Sequence, residues 1–327
     1  SRLFGSSARI VLVRRFSIGH RAAHDEARCG LLLVVGRGFW HFAPSGECQA
    51  PDCGTSCCCE PTCTEDKYDT VAQLEPGLWT FNTRNDPAQA NFGPLRNRAM
   101  IVKVPDGQGS FLVLVSGIGL CKTTLAVLKA LEAKESAPLR HVVAQVDWHH
   151  VYLVDYSVNF PKVTIHVHLG RIPGLDKDTY KYEFMDVEKP PAFLQPHLHI
   201  YPMQGLEQPF QHGTVRYEFF FFHPSTKTLL ADDIVFYFTC APPAGMAVPG
   251  VAKGKIVFWN AGGSSMFADK TKGAESAKRM LGLDFDRFLS ARSELGSQVA
   301  PGATPPAKEL MKAALTTGKG PLLTGNK

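Results

Sequence analysis

The chain has 327 residues, of which 44% are apolar and 20% charged, with 29 Gly and 23 Pro. That composition is globular, and the length suits one large α/β domain with extensions or two domains. The formal charge of +5 is small for this length. No Lys/Arg stripe with interleaved aromatics occurs, so nucleic-acid binding is not expected. Residues 31–35 are the longest apolar run near the N-terminus, far short of the roughly 20 residues that span a bilayer; no transmembrane helix is expected, and membrane contact only through partners.

Residues 1–24 carry Arg2, Arg9, Arg14, Arg15 and Arg21, interspersed with Ser1, Ser6, Ser7 and Ser17, and the first acid is Asp25. A basic, Ser-bearing, acid-free start is the composition of an organelle transit peptide, or of a plain basic tail. Arg14-Arg15-Phe16-Ser17 resembles a mitochondrial processing site. A mitochondrial location is therefore expected, with a plastid as the alternative.

Residues 25–66 read as a Cys-rich linker. Cys48, Cys53, Cys57, Cys58, Cys59 and Cys63 fall close together, while Cys29, Cys121 and Cys240 are scattered. Dense thiols suit a zinc or iron–sulfur site because thiolates are soft, charged ligands. The spacing has neither paired C-x-x-C knuckles nor the plant-type ferredoxin pattern. Disulfides in an oxidising compartment are a second reading, and an unliganded turn-rich loop is a third. Pro51, Gly54 and Pro61 oppose helix there.

Residues 67–317 read as one domain. Strands are expected at 78–81, 99–104, 111–116, 141–146, 163–167, 217–222, 229–238 and 255–259. Asp106-Gly107-Gln108-Gly109 and Pro224-Ser225-Thr226-Lys227 are turn signals. Helices are expected at 123–134, where Leu125, Leu128 and Leu131 have near-helical spacing, and at 274–281, 285–293 and 307–315. This is mixed α/β with sheets covered by helices. Residues 318–327 read as a flexible basic tail: from Pro301 onward Lys308, Lys312, Lys319 and Lys327 stand against Glu309.

Several His fall at strand ends. His149 and His150 follow the strand at 141–146, with Asp155 just beyond. His212 and His223 bracket the strand at 217–222, and Asp233 lies in the next strand segment. Neutral imidazole and carboxylate suit borderline divalent metals. The set His149, His150, His212, His223 and Asp233 could hold a single zinc or iron ion. A His at a strand end is also commonly a hydrogen-bonded structural residue. His166, His168, His197 and His199 alternate and read as one face of extended segments. The stretch from Ser116 to Thr123 imitates a phosphate loop, but Cys121 and Ser116 stand where that loop needs Gly. The run Phe219 to Phe222 reads as a strand buried on both faces.

Arg98-Ala99-Met100-Ile101-Val102-Lys103-Val104 with its following Gly turn resembles the opening of an uncharacterised branch of metallo-β-lactamase-like proteins. So do His149-His150 with Asp155-Tyr156, the stretch His223-Pro224-Ser225-Thr226-Lys227-Thr228-Leu229-Leu230-Ala231-Asp232-Asp233, and Asp284-Phe285-Asp286-Arg287. The resemblance covers roughly residues 70–315. It implies a four-layer αββα sandwich. It departs from the family where a terminal His-Gly becomes Arg292-Ser293, and a guanidinium does not ligate zinc. Val146 replaces an Asn, and the wider superfamily's H-x-H-x-D-H signature is absent. The expected function is a non-catalytic organellar accessory or structural protein, a subunit of a larger assembly with other protein subunits as partners. The alternatives are a mononuclear metal-dependent ester or thioester hydrolase, and a redox or metal module built on the Cys cluster.

Overall fold

A computed structural model describes residues 33–36, 39–42, 70–83, 97–117, 119–120, 122–145, 153–168, 182–186, 189–208, 211–215, 218–232, 234–238, 253–258, 267–291, 298–316 and 323. Residues 1–24 lie outside this set, as do all six clustered cysteines. Within the linker, β1 (Leu33–Gly36) and β2 (Phe39–Phe42) pair as an antiparallel hairpin.

Seven strands consecutive in the chain build the first sheet. They are β3 (Thr70–Glu75), β4 (Leu78–Thr83), β5 (Asn97–Pro105), β6 (Ser110–Val115), β7 (Leu139–Val143), β8 (Thr164–Val167) and β9 (Tyr182–Phe184). Pairing is antiparallel through β6 and parallel from β6 to β9. Parallel neighbours need a crossover. Helix α1 (Lys122–Glu135) carries the chain from β6 to β7, and α2 (Leu153–Asn159) from β7 to β8.

The second sheet follows. Its order is β10 (His199–Met203), β13 (Glu218–His223), β14 (Thr228–Ala231), β17 (Arg287–Ser290) and β18 (Gln298–Val299). Between its members run the pairs β11 (Glu207–Gln208) with β12 (Gln211–Val215), and β15 (Val235–Tyr237) with β16 (Ile256–Phe258). Helices α3 (Lys270–Leu281) and α4 (Ala307–Thr316) complete the domain.

Side-chain alternation along the strands fixes four layers. On β5 and β6, Ala99, Ile101, Leu112 and Leu114 share a core with Leu128 and Leu131 of α1 and Leu153 and Tyr156 of α2. The opposite faces of those strands, Met100, Val102, Val113 and Val115, meet Phe219, Phe221, Leu230 and Leu289 of the second sheet. That sheet's far face, Phe220, Phe222, Leu229 and Phe288, packs with Ala277 and Met280 of α3 and Met311 and Leu315 of α4. The order is αββα. The four-Phe run is a strand buried on both faces, as expected. Each buried ring contributes roughly 1.5–3 kcal/mol of transfer free energy.

Three expected elements differ. Residues 285–293 were expected to be helical, but 287–290 form β17, whose parallel pairing with β14 matches Leu229 to Phe288 and Leu230 to Leu289. A strand buried on both faces loses its alternation, so a short apolar run does not separate it from a helix. The strand expected at 229–238 breaks into β14 and β15. Val235 N–H closes a turn on the Asp232 carbonyl there. Helix α3 begins at Lys270 rather than at 274, because the Asp269 side chain caps it by accepting from Lys272 N–H at 3.0 Å. Gly205, at φ +80°, lies against that cap: a Cβ there would sit 2.2 Å from the Asp269 carbonyl oxygen. In the segment read as a flexible tail, Leu323 donates to the Leu315 carbonyl and packs on the outer core. Among the described residues no helix is long and apolar enough to cross a membrane.

Candidate functional site

One rim of the sandwich gathers the polar side chains. It comprises the ends of β6, β7, β8, β14 and β17 and the starts of β5 and β13. Backbone bonds join the two sheets there: Phe219 N–H donates to Gln145 O at 3.0 Å and Arg98 N–H to Ala291 O at 2.9 Å. Side chains add to the lacing. Gln145, 2% exposed, donates from Nε2 to the carbonyls of Phe219 at 2.9 Å and Leu230 at 3.4 Å. Ser116 Oγ donates to Asp232 Oδ2 at 3.2 Å. The buried Arg98 donates from Nε to Asn82 Oδ1 at 2.8 Å and from Nη1 to Ser290 O at 3.4 Å. His168 packs its ring against Phe219, with centroids 4.9 Å apart. Burial lowers its pKa, and Asp186 partly opposes the shift.

Two features of this rim are chemically unusual. Ser116 holds φ at +65°, a left-handed conformation that a residue with a Cβ rarely adopts. It turns the chain sharply out of β6. Asp155, in the first turn of α2, is the second. Burial pushes its carboxyl up to about 7, against the pull of a hydrogen bond from the Leu120 backbone. An acid that titrates near neutrality at the end of a sheet is equipped to give and take protons. Its sequence signal was an Asp just after a strand, flanked by the apolar Val154 and Tyr156. Ser116 was visible only as the start of an imperfect phosphate loop, and Gln145 and Arg98 carried no separate signal.

Of the five residues expected to hold a metal, the structure describes the side chain of His223. His149, His150 and Asp233 lie outside the described residues, as does Arg292. His212 falls in β12, outside both large sheets. His223 sits at the far end of the sandwich. It pairs with Thr228 in the β13–β14 register, whereas Asp232 follows β14 four residues later. Four strand residues separate them by about 13 Å, against ligand bonds near ~2 Å. His223 therefore cannot share an ion held beside Asp232. Its Nδ1 lies 2.8 Å from Thr226 Oγ1, and burial, aided by His197, pushes its pKa down to about 4. It is a buried, neutral, hydrogen-bonded imidazole. Among the described residues no group of three or more His, Cys, Asp or Glu converges. His166 and His168 lie on one strand face, as their alternation indicated.

Solved structures of the metallo-β-lactamase fold resemble this one. A metallo-β-lactamase from Erythrobacter litoralis is 13% identical, with 75% of this chain and 89% of that one covered and a TM-score of 0.46. The mono-zinc form of FIM-1 from Pseudomonas aeruginosa is 13% identical, covering 76% and 94%, at 0.48. The flavodiiron core of Flv1 from Synechocystis is 10% identical, covering 76% and 60%, at 0.47. No family model matches the chain, and no curated protein matches it. The four-layer αββα order stands on the chain's own sheets and cores.

Proposed function

We propose that the chain is a non-catalytic accessory protein that reuses a hydrolase-type sandwich as a scaffold within a mitochondrial assembly. One observation carries the reading: Ser116, Gln145 and Arg98 at the rim each bond across the seam between the two sheets. Ser116 is bonded to Asp232 and Gln145 to two main-chain carbonyls. Arg98 bridges Asn82 and Ser290. The basic start, the Cys-rich linker and the basic tail support a role in binding neighbouring subunits. Elemental analysis of the purified full chain, with ester and thioester hydrolysis assays, tests it. The expected result is less than stoichiometric zinc or iron and no hydrolysis above background. Stoichiometric metal together with hydrolysis abolished by His150→Ala would overturn it.

A second reading, a mononuclear metal-dependent hydrolase, is favoured by Asp155, whose carboxyl titrates near neutrality beside the rim. It predicts a pH–rate profile with a limb near that value, removed by Asp155→Asn. A flat profile, or no rate at all, excludes it.

A further inference from the structure

His141 on β7 and His166 on β8 face each other on the inward side of the seven-stranded sheet. Nδ1 of His141 lies 2.9 Å from Nε2 of His166, and His166 is 2% exposed. Phe193 stacks on His141, with centroids 3.7 Å apart and planes 12° from parallel, and lies 5.0 Å from His166. Phe111 meets the His141 and Phe193 rings edge-on. Phe193 belongs to the 3-10 turn Ala192–Leu194. That turn lies in the connection from β9, an edge of the first sheet, to β10, an edge of the second. The histidine pair is thus the seat on which the crossover between the sheets rests.

Two ring nitrogens at this distance hold one proton between them: one donates and the other must be bare. The neutral pair meets that condition. So does the pair with one added proton, whose bond becomes charge-assisted. Glu183 Oε2, 3.9 Å from His166 Nδ1, and the face of Phe193 both favour that single charge. A second added proton sets N–H against N–H and cation against cation. Two further charges lie nearby among the described residues. Arg140, beside His141 on β7, is held by Asp106 at 2.6 Å and reaches over the Phe111 ring. Asp186, after β9, acts on His168.

We propose that His141 and His166 form a proton-counting latch, in which up to one added proton keeps Phe193 and the inter-sheet crossover seated and a second releases them. The test is amide hydrogen exchange of residues 189–198 in the full chain, corrected for intrinsic rates, alongside imidazole nitrogen shifts, from about pH 8 to about pH 4.5. The two rings should titrate as a coupled pair in two steps. Protection of the crossover should fall roughly tenfold with the second step only, while amides of β5 and β6 stay protected. His141→Phe keeps the aromatic stack but carries no proton, and should abolish the pH-dependent loss. Crossover protection unchanged across both steps in the wild type, or the same loss in His141→Phe, would overturn the proposal. The wild-type titration decides the matter even where the variant does not fold.

Discussion

The two ends of the sandwich are joined in different ways. At the rim, main-chain bonds and the neutral side chains of Ser116 and Gln145 tie one sheet to the other, with Arg98 and Asp232 as the charged members. At the base, an inward row crosses three strands in register: His223, Thr228 and Arg287. Among the described residues of that row, Arg287 reaches the opposite sheet, donating from Nη2 to Glu75 Oε1 at 2.7 Å. His223, Thr226 and Thr228 bond among themselves. The rim spreads its hold over many modest bonds, and the base concentrates it in one ion pair. Losses at the rim should therefore be graded, and losses at the base abrupt and asymmetric.

The largest expected effect breaks the base. The Arg287 side chain is 7% exposed and that of Glu75 40%, and Nε and Nη1 of Arg287 have no hydrogen-bond partner among the described residues. Glu75→Gln leaves a buried guanidinium uncompensated and should lower the stability measured in urea by about 3–5 kcal/mol. Arg287→Met leaves a carboxylate already in contact with water and should lose less than half as much. Equal losses would refute the asymmetry.

The next effect depends on pH and sets rim against base directly. Asp155 holds its proton up to about pH 7 in the folded chain, whereas an unfolded Asp releases it near ~3.9. The folded state binds more protons between those values, so Asp155 makes stability fall as pH rises from about 4 to 7, by a few kcal/mol in all. His223 works the opposite way. Its folded value of about 4 lies below the unfolded value near ~6.5, so its contribution is complete above about 6.5 and is lost as pH falls toward 4. The two slopes oppose each other in wild type. Asp155→Asn should stabilise the chain at about pH 8 and leave a profile that rises from pH 4 to 6.5. A profile unchanged by the substitution would refute the assignment.

Smaller losses belong to the rim. Gln145→Leu removes the donor to two buried carbonyls and should destabilise by roughly 1–3 kcal/mol. Ser116→Ala removes one bond to Asp232 and should lose about 1 kcal/mol. A Ser116→Ala loss as large as that of Glu75→Gln would erase the distinction between the two ends.

The layers were legible because strand periodicity and turn chemistry are local. Gly107 and Gly109 announced the β5–β6 turn, and the spacing of Leu125, Leu128 and Leu131 announced α1. Residues 285–293 misled because β17 is covered on both sides, and an apolar run without alternation has no period to read. The end of β14 was missed for a different reason. Asp232 stops the strand through a bond to Ser116, a residue 116 positions away, and nothing in the local sequence reports that. The candidate site depends most on such non-local placement. His223 looked like a ligand because it ends a strand. Which end of the sandwich that strand end occupies follows from pairing register, not from residue type. Asp155 was visible as an acid, but its burial beneath the β6–α1 turn was not.

The seven strands of the first sheet occupy residues 70–184 and the five of the second begin at residue 199. A ribosome therefore completes one whole sheet before the first strand of its cover emerges. Met100, Val102, Val113, Val115 and Val143, all fully sealed in the finished molecule, form an open apolar wall during that interval. Exposed walls of this kind recruit other chains while they wait. Synthesis rate across residues 185–230, and chaperone supply at that moment, should govern the soluble yield of this protein more than its final stability does.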